Sequence, residues 1–178
     1  MNLPFSTQLN GKPTYFVEKI WVSLEKRYAE ISKEGKRYLM PPEYFECLDK
    51  GFKNSNPFNA KLHSMREDKK DRWKPGMIID FFINNRTKDM FRFAPRIPVI
   101  STQKIEITWI SNFRNLQPSK LSPKRFNYLE VIIDDRLIEI KEVHELSQND
   151  GFDTIEDFFD FFNEDFKGKI IHWTDKRY

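Results

Sequence analysis

Most of the chemistry this chain can offer lies in six consecutive residues, Lys61-Leu62-His63-Ser64-Met65-Arg66. A lysine stands three residues before a hydroxyl, and an arginine follows two positions later. A buried, neutral amine can take the proton of a serine, so Lys61 and Ser64 could act as base and nucleophile. The same amine, hydroxyl and guanidinium could equally hold a phosphate or a base edge. Arg72-Trp73-Lys74-Pro75-Gly76 follows closely, and its Pro-Gly turn leads into the strand-like run Met77 to Ile83.

Each role carries a physical condition. An unperturbed lysine titrates near ~10.4, and burial or a neighbouring cation must lower that by roughly three units, about 4 kcal/mol, for it to act as a base at neutral pH. Arg66 is near enough in sequence to repel the ammonium, or it could clamp an oxyanion. Residues three apart on a regular strand point to opposite faces, so Lys61 and Ser64 converge only if the segment bends or bulges. The Asn59-Ala60 loop permits such a bend. Each residue also has a plainer use: Lys61 as a solvated strand end, Ser64 bonded to backbone, Asp150 bracing the turn at Gly151. Trp73 reads as a plug for a barrel of strands or as a platform for a base. The three histidines, His63, His144 and His172, are scattered, which argues against a serine-protease-type triad or a metal site. Arg66, His63, Trp73 and Lys74 form the candidate ligand-binding set.

The elements that must position these groups follow from periodicity. Leu3 to Gln8 reads as a first strand. With Thr14 as N-cap, Phe16, Val17, Ile20, Trp21, Leu24, Tyr28 and Ile31 recur at helical spacing until Gly35. Glu43 to Lys50 reads as a short helix after Pro41-Pro42, and Gly51 to Asn59 as a polar loop delivering Lys61. Met77 to Asn84 and Val99 to Ile110 read as strands. In the second, Ile105, Ile107 and Trp109 alternate with Lys104, Glu106 and Thr108, as on a half-buried strand. Residues Ser111 to Lys124 contain two prolines and no acid, which reads as an exposed basic loop. Tyr128 to Ile133 and Leu137 to Ile140 read as a hairpin, and Lys141 to Gln148 as a short helix ending at Asn149-Asp150-Gly151. Asp153 with Glu156 resembles a capping box for a helix whose stripe Ile155, Phe158, Phe159 and Phe162 belongs to the core. Lys169 to Thr174 closes the chain as a strand. The class is α+β, with mostly antiparallel, curled strands and helices packed at the ends.

At 178 residues the chain suits one well-buried core, so a single domain is expected. Seventeen phenylalanines imply that rings build that core. The longest apolar runs are far too short to cross a bilayer, and the first residues lack signal-peptide character. One cysteine, Cys47, excludes an internal disulfide and any cysteine-rich zinc site. A cytoplasmic protein with no metal and no cofactor is expected, and nothing in the pattern fixes an oligomeric state. The net charge of +3 conceals an asymmetry. Between Arg86 and Arg125 nine basic residues face only Asp89 and Glu106, whereas between Glu130 and Asp165 thirteen acids face Arg136 and Lys141. That split suggests either a basic face that attracts anions or two ordinary solvated faces.

The motif Lys61 to Arg66, Trp73-Lys74-Pro75-Gly76 before a strand, the strand Lys104 to Trp109, and Asn149-Asp150-Gly151-Phe152 before the last helix together resemble the ASCH domain family. This is a branch of the PUA-like superfamily of small, mostly antiparallel β-barrels. The resemblance covers about 60–174, with 1–55 as an N-terminal helical elaboration. It implies binding of RNA, a nucleotide or a modified nucleoside in a cleft beside the barrel. In a subset that releases acetate from N4-acetylcytidine, it implies an amidohydrolase with a lysine base, a hydroxyl nucleophile and a carboxylate proton donor. Those roles fall on Lys61, Ser64 and Asp150. Here serine replaces the usual threonine, and aspartate replaces the usual glutamate, shortening the reach by one methylene. A third reading is a protein-interaction module that exposes Phe16, Trp21 or Tyr28 on its first helix.

Overall fold

The computed structural model describes residues 1–33, 40–54, 57–110 and 129–178, with 26–33 described by their backbone. The strand Phe166–His172 (β11 in chain order) explains the layering, because both of its faces are buried at its C-terminal end. Ile170 joins one hydrophobic cluster and Ile171 the other, and both are fully buried. β11 is flanked antiparallel by β8 (Ser101–Trp109) and by β4 (His63–Arg66), and β8 pairs with β9 (Leu129–Ile133), which pairs with β10 (Arg136–Leu137).

On one side of this five-stranded sheet lie α3 (Ile140–Asn149) and α4 (Ile155–Phe161). They enclose Met65, Ile105, Ile107, Val131, Phe158, Phe159 and Ile170. The stripe Ile155, Phe158, Phe159 and Phe162 is buried here, as its spacing predicts. The other core holds Ile171 and Trp173 together with α1 (Phe16–Lys33) and a second sheet. In that sheet β5 (Ile78–Ile83) pairs in parallel with β1 (Asn2–Phe5) and antiparallel with the short β6 (Phe91–Arg92) and β7 (Ile97–Pro98). Leu3, Phe5, Ile20, Trp21 and Leu24 therefore share one core with Ile79 and Phe81. A ribbon of β2 (Gln8–Leu9) and β3 (Lys12–Pro13), and the helix α2 (Pro42–Asp49), complete the described elements.

The fold is α+β, with four helices and mostly antiparallel sheets among the described residues. No sheet among them closes into a barrel. The chain turns directly from one sheet into the other between β7 and β8, where Gly76 N–H donates to Val99 O and Ile100 N–H donates to His172 O, both at 2.8 Å. No described helix is long and apolar enough to cross a membrane.

Two details depart from local pattern. Thr154, not Asp153, caps α4, its Oγ1 accepting from Asp157 N–H at 3.1 Å. The Asp153 carboxylate is engaged elsewhere, by the Lys19 ammonium at 2.6 Å. The second arm of the late hairpin is cut to two residues, because Glu139 and Glu142 form a reciprocal capping box that starts α3 at Ile140. The expected basic loop Ser111 to Lys124 lies outside the described residues. Trp21 is buried, so it forms no apolar surface patch on α1; the side chain of Tyr28 is outside the described set.

Candidate ligand-binding site

The bend required ahead of Ser64 is present, and backbone bonds to distant elements hold it. Lys61 N–H donates to Lys19 O of α1 at 2.9 Å, and Leu62 N–H donates to Asn149 O of α3 at 2.7 Å. These two residues therefore lie off the ladder, which begins at His63. Along β4, Met65 faces α3 and α4 opposite Ile170. Ser64 and Arg66 face the other core, with Ile171 paired to Ser64.

Lys61 is fully buried beside the last turn of α3. Its ammonium donates to the Asp150 carbonyl and stands 3.0 Å from Asp150 Oδ1. Met65 N–H donates to the same carboxylate oxygen at 3.3 Å, and His63 Nδ1 lies 3.4 Å from it without hydrogen-bond alignment. Behind His63, its Nε2 is 2.8 Å from the Tyr178 hydroxyl, which accepts from Asn149 Nδ2 at 2.9 Å. With Asn149 donating to the phenol oxygen, the phenol proton goes to Nε2, which assigns the ring proton to Nδ1, facing Asp150. Gly151 makes this arrangement possible. It caps α3 with φ +92°, and a Cβ there would stand 3.0 Å from Lys61 Cδ and 3.1 Å from Phe16 Cε1.

Burial dominates the electrostatics of the cluster. It brings Lys61 down to about 8, helped by Arg66 and Lys19 and opposed by Asp150. Burial likewise lowers His63, which stays neutral at pH 7. For Asp150 burial pushes upward, but Lys61 and His63 more than reverse it and hold the carboxyl below its ordinary range. The net result is an ionised aspartate with a cationic partner held in a dry site.

The Lys61 ammonium lies 4.6 Å from the centroid of the Phe16 ring and 5.8 Å from that of Phe5. On the far side of those rings opens a cleft of about 740 Å³, lined by Phe5, Phe16, Phe161, Arg66 and Arg86 with Ser6, Thr7, Gln8, Asn84 and Asn85. Arg66 is half-buried there. Its guanidinium donates to Pro4 O at 2.7 Å and Met65 O at 3.0 Å and lies 5.4 Å from the Phe5 centroid, with no ion pair to a carboxylate among the described residues. Arg86 is exposed on the turn after β5, at φ +66°. A hydrogen bond from Thr87 Oγ1 to Asn84 O at 2.8 Å braces that turn.

The structure thus brings Lys61, His63 and Asp150 into contact and sets Arg66 beside the same Phe5 ring. The Ser64 hydroxyl is buried without any hydrogen-bond partner, so it is not bonded to the Lys61 amine. Trp73 and Lys74 do not line the cleft. Trp73 is buried in the core, its carbonyl accepting from Lys169 at 2.7 Å, and Lys74 pairs with Asp71 at the surface. Sequence reasoning missed Phe5, Asn149 and Tyr178, and it took Phe16 for an ordinary core residue. A phenylalanine or a terminal tyrosine carries no local mark of such a role. Arg86 was visible only as the first residue of the basic run. Comparison with protein-family models, with curated proteins and with solved structures finds no match to this chain.

Proposed function

We propose that the chain is an ASCH-like, PUA-like domain that binds a nucleotide, a modified nucleoside or an RNA element in the cleft over Arg66. The lining of that cleft carries the reading: two guanidinium groups and three phenylalanine rings, with no carboxylate among the described residues that line it. Guanidinium recognises phosphate through paired donors. The rings offer stacking surfaces, and the amides and hydroxyls offer partners for sugar and base edges. In this view the two sheets joined at the β7–β8 corner stand for the barrel, and Lys61 with Asp150 buttresses the cleft floor from behind Phe5 and Phe16. Calorimetry at low salt with nucleosides, nucleotides and short RNAs tests it. Binding of at least one, weakened by Arg66→Lys, is the expected result; silence from all of them at low salt sinks the reading.

A second reading, deacylation of an N-acylated nucleoside such as N4-acetylcytidine, is favoured by one observation. Lys61 is lowered to about 8, and the Ser64 hydroxyl three residues on is buried and unbonded. Once Lys61 has shed its own proton, which its lowering to about 8 eases, Ser64 Oγ would attack the acyl carbon while the neutral amine takes the hydroxyl proton, and the C–N bond would break as the base amine leaves. Lys61 then supplies the proton for that amine, because Asp150 is ionised at neutral pH and has none to give. Water would hydrolyse the acyl-serine. Lys61 lies against Phe5 and Phe16 and Ser64 is buried, so the packing over them must open first. Incubation with N4-acetylcytidine should then release acetate, and Lys61→Ala and Ser64→Ala should each abolish release. No release by the native chain removes this reading.

A further inference from the structure

Next to the Arg66 cleft, and separated from it by Leu9, Phe16 and Phe161, lies a second hollow of about 410 Å³. Its character is opposite. Asp153, Asp157 and Asp160 line it, against Lys12 and Lys19. Both lysines are already committed, Lys19 to Asp153 at 2.6 Å and to Gly151 O at 2.8 Å, and Lys12 to Asp157 at 3.4 Å. The two halves share the same rings and differ in sign. Among the described residues, one presents guanidinium groups without a carboxylate partner, and the other sets three carboxylates against two ammonium groups.

From this polarity we infer that the cleft takes a mononucleotide, with its single terminal phosphate held by Arg66 and Arg86 and its base lying against Phe16 and Phe161 toward the acidic half. The inference rests on the nucleotide-binding reading above and narrows it. A neutral nucleoside leaves both guanidinium groups without an anion, although Arg66 is half-buried and spends only two of its five N–H donors on carbonyls. A continuous RNA strand has the converse defect. With one phosphate on the arginines, the next phosphate beyond the base meets a lining whose three carboxylates outnumber its two ammonium groups, and that net negative balance disfavours it. Each hollow by itself lies within the range of small-molecule sites, and the aromatic divide between them suits one base rather than a stack.

Calorimetry on the full chain separates the cases, using the common ribonucleosides, their 5′-monophosphates and a short oligoribonucleotide of the best-bound base. The monophosphate should bind about tenfold or more tighter than its nucleoside, an advantage that falls as salt rises. Arg86→Gln, a change on an exposed turn, should erase most of that advantage, and Arg66→Lys should reduce it. The oligonucleotide should bind no tighter than the monophosphate. Equal affinity for nucleoside and monophosphate, or a tighter oligonucleotide, overturns the inference while leaving the ligand-binding reading standing. If no nucleoside, nucleotide or oligonucleotide binds, both fall together.

Discussion

Two lysine–aspartate clusters flank β4, and they differ in almost nothing except water. At its start, Lys61 and Asp150 meet at 3.0 Å with side chains 1% and 6% exposed. Beyond its end, on the loop before β5, Asp71 bonds Lys74 and Lys169, and the Lys74 and Asp71 side chains are 54% and 63% exposed. In the exposed cluster the lysines bring Asp71 down to about 2, and nothing opposes them strongly. In the buried cluster the largest effect falls on the base: desolvation takes Lys61 to about 8 even with an aspartate in contact. Proximity of opposite charges sets the direction of the first case, and loss of hydration sets that of the second. The buried pair is therefore the one whose disruption the fold must feel.

Asp150→Ala gives the largest effect. It strands a buried ammonium and removes the acceptor of the Met65 amide, so unfolding stability should fall by about 3–5 kcal/mol in a denaturant titration. Asp71→Ala in the exposed cluster should leave the midpoint nearly unmoved. A comparable loss from both would show that burial is not what separates them. Replacing the pair together, as Lys61→Met with Asp150→Leu, should recover most of the loss, because no charge is then left uncompensated.

Gly168 lies on the strand that joins the two clusters. A Cβ there would stand 2.3 Å from the Arg66 carbonyl oxygen, which is backbone and has nowhere to go. Gly168→Ala should cost about 2–3 kcal/mol, measured by thermal or denaturant unfolding, and should weaken ligand binding through displacement of Arg66. Full stability in this variant would mean that β4 and β11 are less closely paired than described.

The pH response isolates Lys61. Between pH 8 and 10.5 the folded lysine has lost its proton while the unfolded chain still holds one. The unfolded state therefore binds more protons, and stability rises with pH across that window by roughly 3 kcal/mol. Cys47 acts the other way. Burial raises its thiol to about 11 from an ordinary 9.0, so the unfolded thiol ionises first and stability declines over that interval. Subtracting the curve of Lys61→Met from that of the native chain removes the cysteine contribution, and the difference should climb toward pH 10.5. A flat difference would show that Lys61 is not held in a dry site.

The smallest effect belongs to Lys74→Ala, which should change neither stability nor nucleotide affinity in the same calorimetric assay. A clear loss of affinity would return Lys74 to the binding set and move the site away from the Arg66 cleft.

Local pattern was enough for the helices α1 and α3, for α4 apart from its cap, and for the strands β5, β8, β9 and β11, because period and turn residues act within a few positions. Spacing and residue type singled out Lys61, Ser64 and Arg66, whereas Asp150 joined them only through the resemblance to the ASCH family. Which of them would touch was another matter. Lys61 and Asp150 are 89 residues apart, and their meeting depends on α3 ending where α1 and the bend before β4 converge. Trp73 and Lys74 show the converse. An indole and an amine beside a Pro-Gly turn have the right chemistry for a base and a phosphate, yet one fills the core and the other pairs with Asp71. Phe5, Phe16 and Arg86 reach the cleft only through the parallel pairing of β1 with β5 and the packing of α1. Amphipathic periodicity fixes which side of an element is apolar, whereas the partner that covers that side, and the water it expels, depend on contacts between segments far apart in the chain.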